Sequence, residues 1–181
     1  MGSQEQMNFN NLKSNLSNSI KESCLSSDAL IYKIADEVHQ INTLTVEPGV
    51  EIARGLSAIV DTTIGNAARS GCDLTAIIKG ILIGAFRSNR SIRSEAHKTI
   101  HLLVKEIVEA AFKYNCDVTQ LTDGLLAAVV LVAKEQELNA QELLLITFED
   151  VLSSSKELDP GFARKVASKI PQEYEGWQVV H

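Results

Sequence analysis

This sequence predicts an all-α fold, a single-domain bundle of seven or eight helices, and three observations predict it. Apolar residues recur with a period near 3.6 along almost the whole chain. No segment carries the strict alternation and turn dipeptides of a β-hairpin. The stretch RSGCDLTAIIKGILIGAF, Arg69–Phe86, returns 44 residues later as KYNCDVTQLTDGLLAAVV, Lys113–Val130. A repeat of that length is a helical hairpin used twice, at about residues 48–88 and 92–137.

Taken in order, residues 1–7 are a disordered or cloning-derived start, since Met7 reads equally well as a first residue. The single helical domain spans 8–170. Residues 8–24 form a polar, Asn- and Ser-rich helix with Phe9, Leu12, Leu16 and Ile20 on one face. Such a helix has poor propensity and needs docking to persist. Ser27 caps helix 28–44, which turns Leu30, Ile31, Ile34, Val38 and Ile41 inward. Pro48 suits a first helical turn, and helix 48–70 buries Ile52, Leu56, Ile59, Ile64 and Ala67.

Gly71 stops that helix in the left-handed conformation, and Asp73 caps helix 74–88. Helix 92–114 buries Ile92, Ala96, Ile100, Leu103, Ile107 and Ala111, and Asn115 stops it. Asp117 caps helix 118–137 with Gln120 at the capping-box position. Asn139 and Glu142 make a second box for helix 140–154. Asp159-Pro160 opens a short last helix that ends before Pro171. The tail 171–181 is irregular.

Aligned at the 44-residue offset, the copies match at Val60/Val104, Ala67/Ala111, Cys72/Cys116, Asp73/Asp117, Thr75/Thr119, Gly80/Gly124 and Leu82/Leu126. The stop residues differ, Gly71 against Asn115, yet meet one backbone demand. A glycine within a helix costs about 1 kcal/mol against alanine. Gly80-x-x-x-Gly84 and Gly124-x-x-x-Ala128 therefore predict close helix approach. The second helix of each copy is apolar nearly all round, notably over Leu125–Ala133, and such helices are buried. The two short helices are expected to lie centrally and pack together, the long ones covering them in a closed bundle.

Composition bounds the function classes. With 181 residues and 45% hydrophobic content the chain can build a core without staples. A net charge of −6 argues against general nucleic-acid binding, which needs clustered Lys and Arg. No apolar run reaches membrane-spanning length. Three cysteines, an odd number without a secretory leader, argue against a disulfide framework and for a reducing, cytoplasmic location. The sequons at Asn15 and Asn89 then carry no meaning.

Four groups are candidate site residues. His97 and His101 stand at i and i+4, a spacing that chelates a metal if a third ligand arrives from elsewhere. Against it, no HExxH motif is present. Arg87, Arg90 and Arg93 lie in a loop rich in Ser, the sharpest basic cluster in an acidic chain, and can contact a phosphate or carboxylate. Arg87 also suits a helix C-terminus. Tyr174 and Trp177 are tail aromatics of the kind that anchor contacts. They serve equally a strap in cis or an arm in trans. Cys72 and Cys116 sit at equivalent junctions and read as small buried residues. No nucleophile elbow, Walker loop, GxGxxG or EF-hand loop occurs.

The leading expectation is a non-enzymatic helical interaction or scaffold protein, self-associating, with no cofactor. One alternative is an amphipathic lipid- or granule-surface binder, although its charged faces are acidic where such helices favour Lys and Arg. The Ala- and Gly-rich helices resemble those of granule-surface phasins in composition, without a shared motif. A second alternative is a metal or small-ligand bundle using His97 and His101.

Overall fold

A computed structural model describes residues 27–44, 50–87 and 96–170, and, within 11–20, residues 11, 14, 15, 17, 18 and 20, which are helical. The chain is all-α. Its helices are α1 Ser27–Leu44, α2 Val50–Ser70, α3 Leu74–Arg87, α4 Ala96–Lys113, α5 Val118–Gln136, α6 Ala140–Leu158 and α7 Pro160–Ala167. No strand occurs among the described residues. The expected positions at Phe9, Leu12, Leu16, Pro48 and Ile92 lie outside the described residues, as do the side chains of Ile41 and Ile52 and all of the tail.

Helix ends follow the residues that can make them. Gly71, Asn115 and Glu137 have φ of 65°, 52° and 57°. After each, the next N–H donates five residues back: Cys72 to Ala67 at 3.1 Å, Cys116 to Ala111 at 2.9 Å, Leu138 to Ala133 at 2.9 Å. This is one closure used three times, a left-handed residue followed by an apolar one that packs back on the helix. Cys72, Cys116 and Leu138 are all half-buried against the core. The two cysteines thus hold the place that leucine holds in the third copy. Glu137 has neither the missing Cβ of glycine nor the short amide of asparagine, so its left-handed conformation is the most costly. Glu137→Gly is expected to stabilise by about 1 kcal/mol in urea melts. Asn115→Gly is expected to be neutral or stabilising, and a loss above about 1 kcal/mol would refute its stop role.

The helix starts are also repeated. Asp73 Oδ1 accepts the Thr75 N–H at 3.0 Å, Asp117 Oδ1 the Gln120 N–H at 2.8 Å, and Asp159 Oδ1 the Phe162 N–H at 2.7 Å. Each satisfies a donor that the first turn leaves open. Asp159 lies 42 residues after Asp117, so α6 and α7 form a third hairpin with the same capping aspartate but without the left-handed stop. Helix α6 runs to Leu158 rather than stopping near 154, because Ser154 and Ser155 turn inward and are buried. The stop comes from Pro160, which forces Asp159 into the extended conformation, φ −161° and ψ 131°.

The hairpins stack in two rows. Helices α1, α3 and α5 form one row, with α7 at its end, and α2, α4 and α6 form the other. Between the first two hairpins, equivalent helices pack more extensively than the two arms of either hairpin, whereas α7 packs mainly on its own partner arm α6. The expected helical bundle is found, and within it the helices lie in two rows, because each repeat offers its apolar faces to the repeat before and after it. Helix α3 lies between α1 and α5, and all its residues from Gly80 to Phe86 are buried. The core runs the length of the stack through Leu30, Ile34, Leu56, Ile77, Ile81, Ile100, Leu125 and Val151.

The glycines explain the spacing, though not as the sequence suggests. A Cβ on Gly80 would lie 2.6 Å from Ile34 Cβ, and one on Gly84 2.5 Å from the Ala35 carbonyl oxygen. One on Gly124 would lie 3.1 Å from Thr75 Cα. So Gly80 and Gly84 admit α1, while Gly124 admits α3. Short helices α3 and α5 do pack together, but their glycines do not meet. Each small face receives the preceding helix in its row.

Candidate functional site

The polar groups that carry chemistry fall mainly on the seams between stacked helices. In the α2–α4 seam, Ser57 Oγ donates to Glu106 Oε2 at 2.6 Å, and Lys113 Nζ donates to Asp61 Oδ1 at 2.7 Å. Tyr114 Oη donates to Asp61 Oδ2 at 3.2 Å. Its ring fills the space left by Gly65 and lies under both Lys113 and Arg69, 5.0 Å and 5.9 Å from the centroid. Hydrogen bonds to Asp61 and Tyr114 raise the Lys113 pKa above its ordinary value. This cluster was not legible as a site, since none of its members forms a motif. Its one signal is distance along the chain: the cross-seam pairs are 49 to 53 residues apart, one repeat plus between one and three helical turns.

The α4–α6 seam holds both candidate histidines. His97 Nε2 lies 3.2 Å from Glu142 Oε1, and His101 Nδ1 lies 2.7 Å from Asp150 Oδ1. Each ring turns to a carboxylate of its own. They share a helix face, as the i, i+4 spacing requires, but converge on no common point. Among the described residues no group of three or more His, Cys, Asp or Glu is placed to hold a metal ion. Asp150 is the member that sequence reading missed. Its side chain is 13% exposed against 66% for His101, and its Oδ2 is buried without a partner. The pair has the hydrogen bond of a carboxylate-oriented imidazole, but no described hydroxyl or thiol is bonded to it.

Two capping expectations are corrected on these seams. Gln120 does not fold back onto Asp117. Its Oε1 accepts the Leu74 N–H at 3.0 Å, and Thr75 Oγ1 donates to the Gln120 carbonyl at 3.3 Å. It thus satisfies an open donor of the neighbouring α3 instead of its own helix. Glu142 likewise turns to His97, while Asn139 Oδ1 alone accepts from Gln141 and Glu142.

Of the basic loop, Arg90 and Arg93 lie outside the described residues. Arg87, at the C-terminus of α3, reaches Glu135 of α5 at 3.4 Å and Asp36 of α1 at 3.9 Å. It also sits 5.9 Å from the centroid of the Tyr32 ring. The guanidinium joins three helices of one row, and its charge is already matched by two carboxylates. Tyr174 and Trp177 lie outside the described residues.

Helix α1 carries two buried polar atoms without a partner, Glu37 Oε2 and His39 Nδ1. Burial pushes the Glu37 carboxyl above the ordinary range, Lys33 partly opposes this, and Asp36 reinforces it. A raised carboxylate favours folding below its unfolded pKa and loses that contribution as pH rises through the folded value. Glu37→Gln is therefore expected to raise the melting temperature at pH 7. The advantage should vanish as both proteins are acidified below the ordinary glutamate pKa, which thermal melts from pH 3 to 7 would check.

The cysteines part company. Cys116 is a free, half-buried thiol whose pKa is pushed up by burial, so the adjacent helix start does not activate it. Cys72 is disulfide-bonded, which corrects the expectation of none. Its Sγ lies 3.5 Å from the Ile20 carbonyl. A disulfide sulfur has no hydrogen to donate, so that approach is packing.

On the outer face of α5, Val130 is 45% and Leu131 37% exposed. The apolar run Leu125–Ala133 is thus not covered all round, because only one side of α5 meets the other row. Phe112, at 40%, rests against Phe162 with ring centroids 5.1 Å apart. No helix of the described residues is long and apolar enough to cross a membrane. No protein-family model matches the chain, and no curated protein matches it.

Proposed function

We propose that this chain is a helical interaction protein, a non-enzymatic scaffold that associates with itself. The observation that supports the reading is the pair Val130 and Leu131, adjacent large aliphatic side chains left open on the outer face of α5. Stacked helical hairpins present extended faces to partners, and exposed apolar positions on such faces are where contacts form. The polar seams support it too. Arg87, His97 and His101 are matched to neighbouring carboxylates, an arrangement that sets helix register.

Sedimentation velocity over a hundredfold concentration range tests the reading. The native chain should sediment faster as concentration rises. Val130→Glu with Leu131→Glu should abolish that dependence while leaving the melting temperature unchanged within a few degrees, since both sites are already wet. A native chain that stays monomeric throughout would refute self-association. The Cys72 disulfide removes the cysteine argument for a reducing compartment, since cytosolic disulfides are usually transient or redox-sensing.

A further inference from the structure

The open face of α5 has an order of its own. Asp123, Ala127, Val130 and Lys134 follow one another along one line of the helix, at intervals of three or four residues. Leu126 and Leu131 flank that line on either side. Asp123, Val130, Leu131 and Lys134 are exposed, and Leu126 and Ala127 are half-buried. Neither Asp123 nor Lys134 is ion-paired with another described residue.

The first copy of the hairpin provides the comparison within the molecule. At the 44-residue offset, Ala127 and Val130 correspond to Ile83 and Phe86 of α3, each only 3% exposed. The same face is thus covered on α3 and open on α5, where the short α7 packs mainly on α6 and only lightly on α5. An aliphatic face left open in this way is suited to a partner, and its charges say which one. The pattern reads the same in reverse. Asp123 stands four residues before Ala127 and Lys134 four after Val130, while Leu126 directly precedes Ala127 and Leu131 directly follows Val130. A second α5 laid end for end on the first therefore brings Asp123 to Lys134, Leu126 to Leu131, and Ala127 to Val130. The small Ala127 receives the branched Val130, so the axes can approach to the usual ~8–10 Å. A parallel second α5 would instead set Asp123 on Asp123 and Lys134 on Lys134, and like charges in contact oppose docking.

We infer that a second copy of this chain docks on this face, α5 antiparallel to α5, about a two-fold axis midway between Ala127 and Val130. The inference rests on the self-association reading and adds to it the face, the symmetry and the pairing. A two-fold contact uses one patch on both copies and closes on itself, so the assembly stops at two chains. Two Asp123–Lys134 pairs bracket the aliphatic centre and fix its register.

The test is sedimentation velocity of the full chain, of Asp123→Lys, of Lys134→Asp, and of the two variants mixed. The native mass should rise with concentration and level off at two chains. Each variant alone sets like charges together at both ends of the contact, and its dissociation constant should rise about tenfold. An equimolar mixture should return to within a few-fold of native, because a mixed pair has lysine against aspartate at both ends. The double variant should associate like the native chain. Both side chains are exposed, so circular dichroism should find the helix content unchanged throughout. Single variants that associate like native, or a mixture no tighter than its components, would overturn this pairing while leaving self-association standing. Growth beyond two chains would overturn the two-fold contact. A native chain that stays monomeric would overturn both.

Discussion

Replacing Gly84 with leucine is expected to destabilise the fold by about 3 kcal/mol, the upper end of ordinary overpacking. The reason is the nature of the obstacle. A Cβ alone at this position would lie 2.5 Å from the Ala35 carbonyl oxygen, 2.7 Å from Val38 Cβ and 2.9 Å from Ala35 Cα. Two of these atoms are backbone, so no rotamer change can make room. Helix α1 must move away from α3, and Leu30, Ile34 and Val38 lose packing as it does. Even Gly84→Ala should be costly. Gly71→Ala makes a useful contrast, since nothing lies within 4 Å of its Cβ and only the positive φ resists it. Urea denaturation of the three variants checks the order Leu, then Ala at 84, then Ala at 71. A loss under about 1 kcal/mol for Gly84→Leu would mean that α1 is not held in place by this face.

Truncating Ile78 to alanine is expected to cost about 3 to 4 kcal/mol. Ile78 is fully buried on α3, and its Cδ1 would be 3.0 Å from a Cβ placed on Gly124. It therefore fills the space that Gly124 leaves between α3 and α5. Removing three carbons there opens a cavity on both sides of the stack's central seam, which α5 cannot close without leaving Leu74 and Gln120 unpaired. The same contact predicts coupling. Gly124→Ala should cost about 1 kcal/mol alone and less beside Ile78→Val, which is softer at the contact. Strict additivity in that cycle would show that Ile78 and Gly124 do not share the seam.

The site residues show how far sequence reasoning reaches. The i, i+4 spacing of His97 and His101 correctly puts them on one face, because helical geometry is local. What each ring meets is decided by α6, more than 40 residues on, and nothing in the spacing names Glu142 or Asp150. Arg87 suits a helix C-terminus by the local dipole argument, and it is found there. That it also reaches α1 and α5 depends on how the row stacks. The opening of Val130 and Leu131 is equally invisible in an apolar run, since hydropathy does not say which side a neighbour takes.

By itself the sequence determined what is local and what repeats. Its 3.6-residue period, its stops at Gly71 and Asn115, its caps at Asp73, Asp117, Asn139 and Asp159, and the 44-residue echo specify an all-α chain of hairpins. Each of these depends only on backbone sterics, on hydrogen bonds within one turn, or on one unit being written twice. Tertiary structure alone decided the rest. It made the hairpins stack in two rows and turned Gly80 and Gly84 toward α1. It lent Gln120 to a neighbouring helix and gave one of two equivalent cysteines a disulfide. Those outcomes depend on which surfaces meet. That is set by the fit of whole faces, in which a 2.5 Å contact at one glycine outweighs any preference legible along the chain.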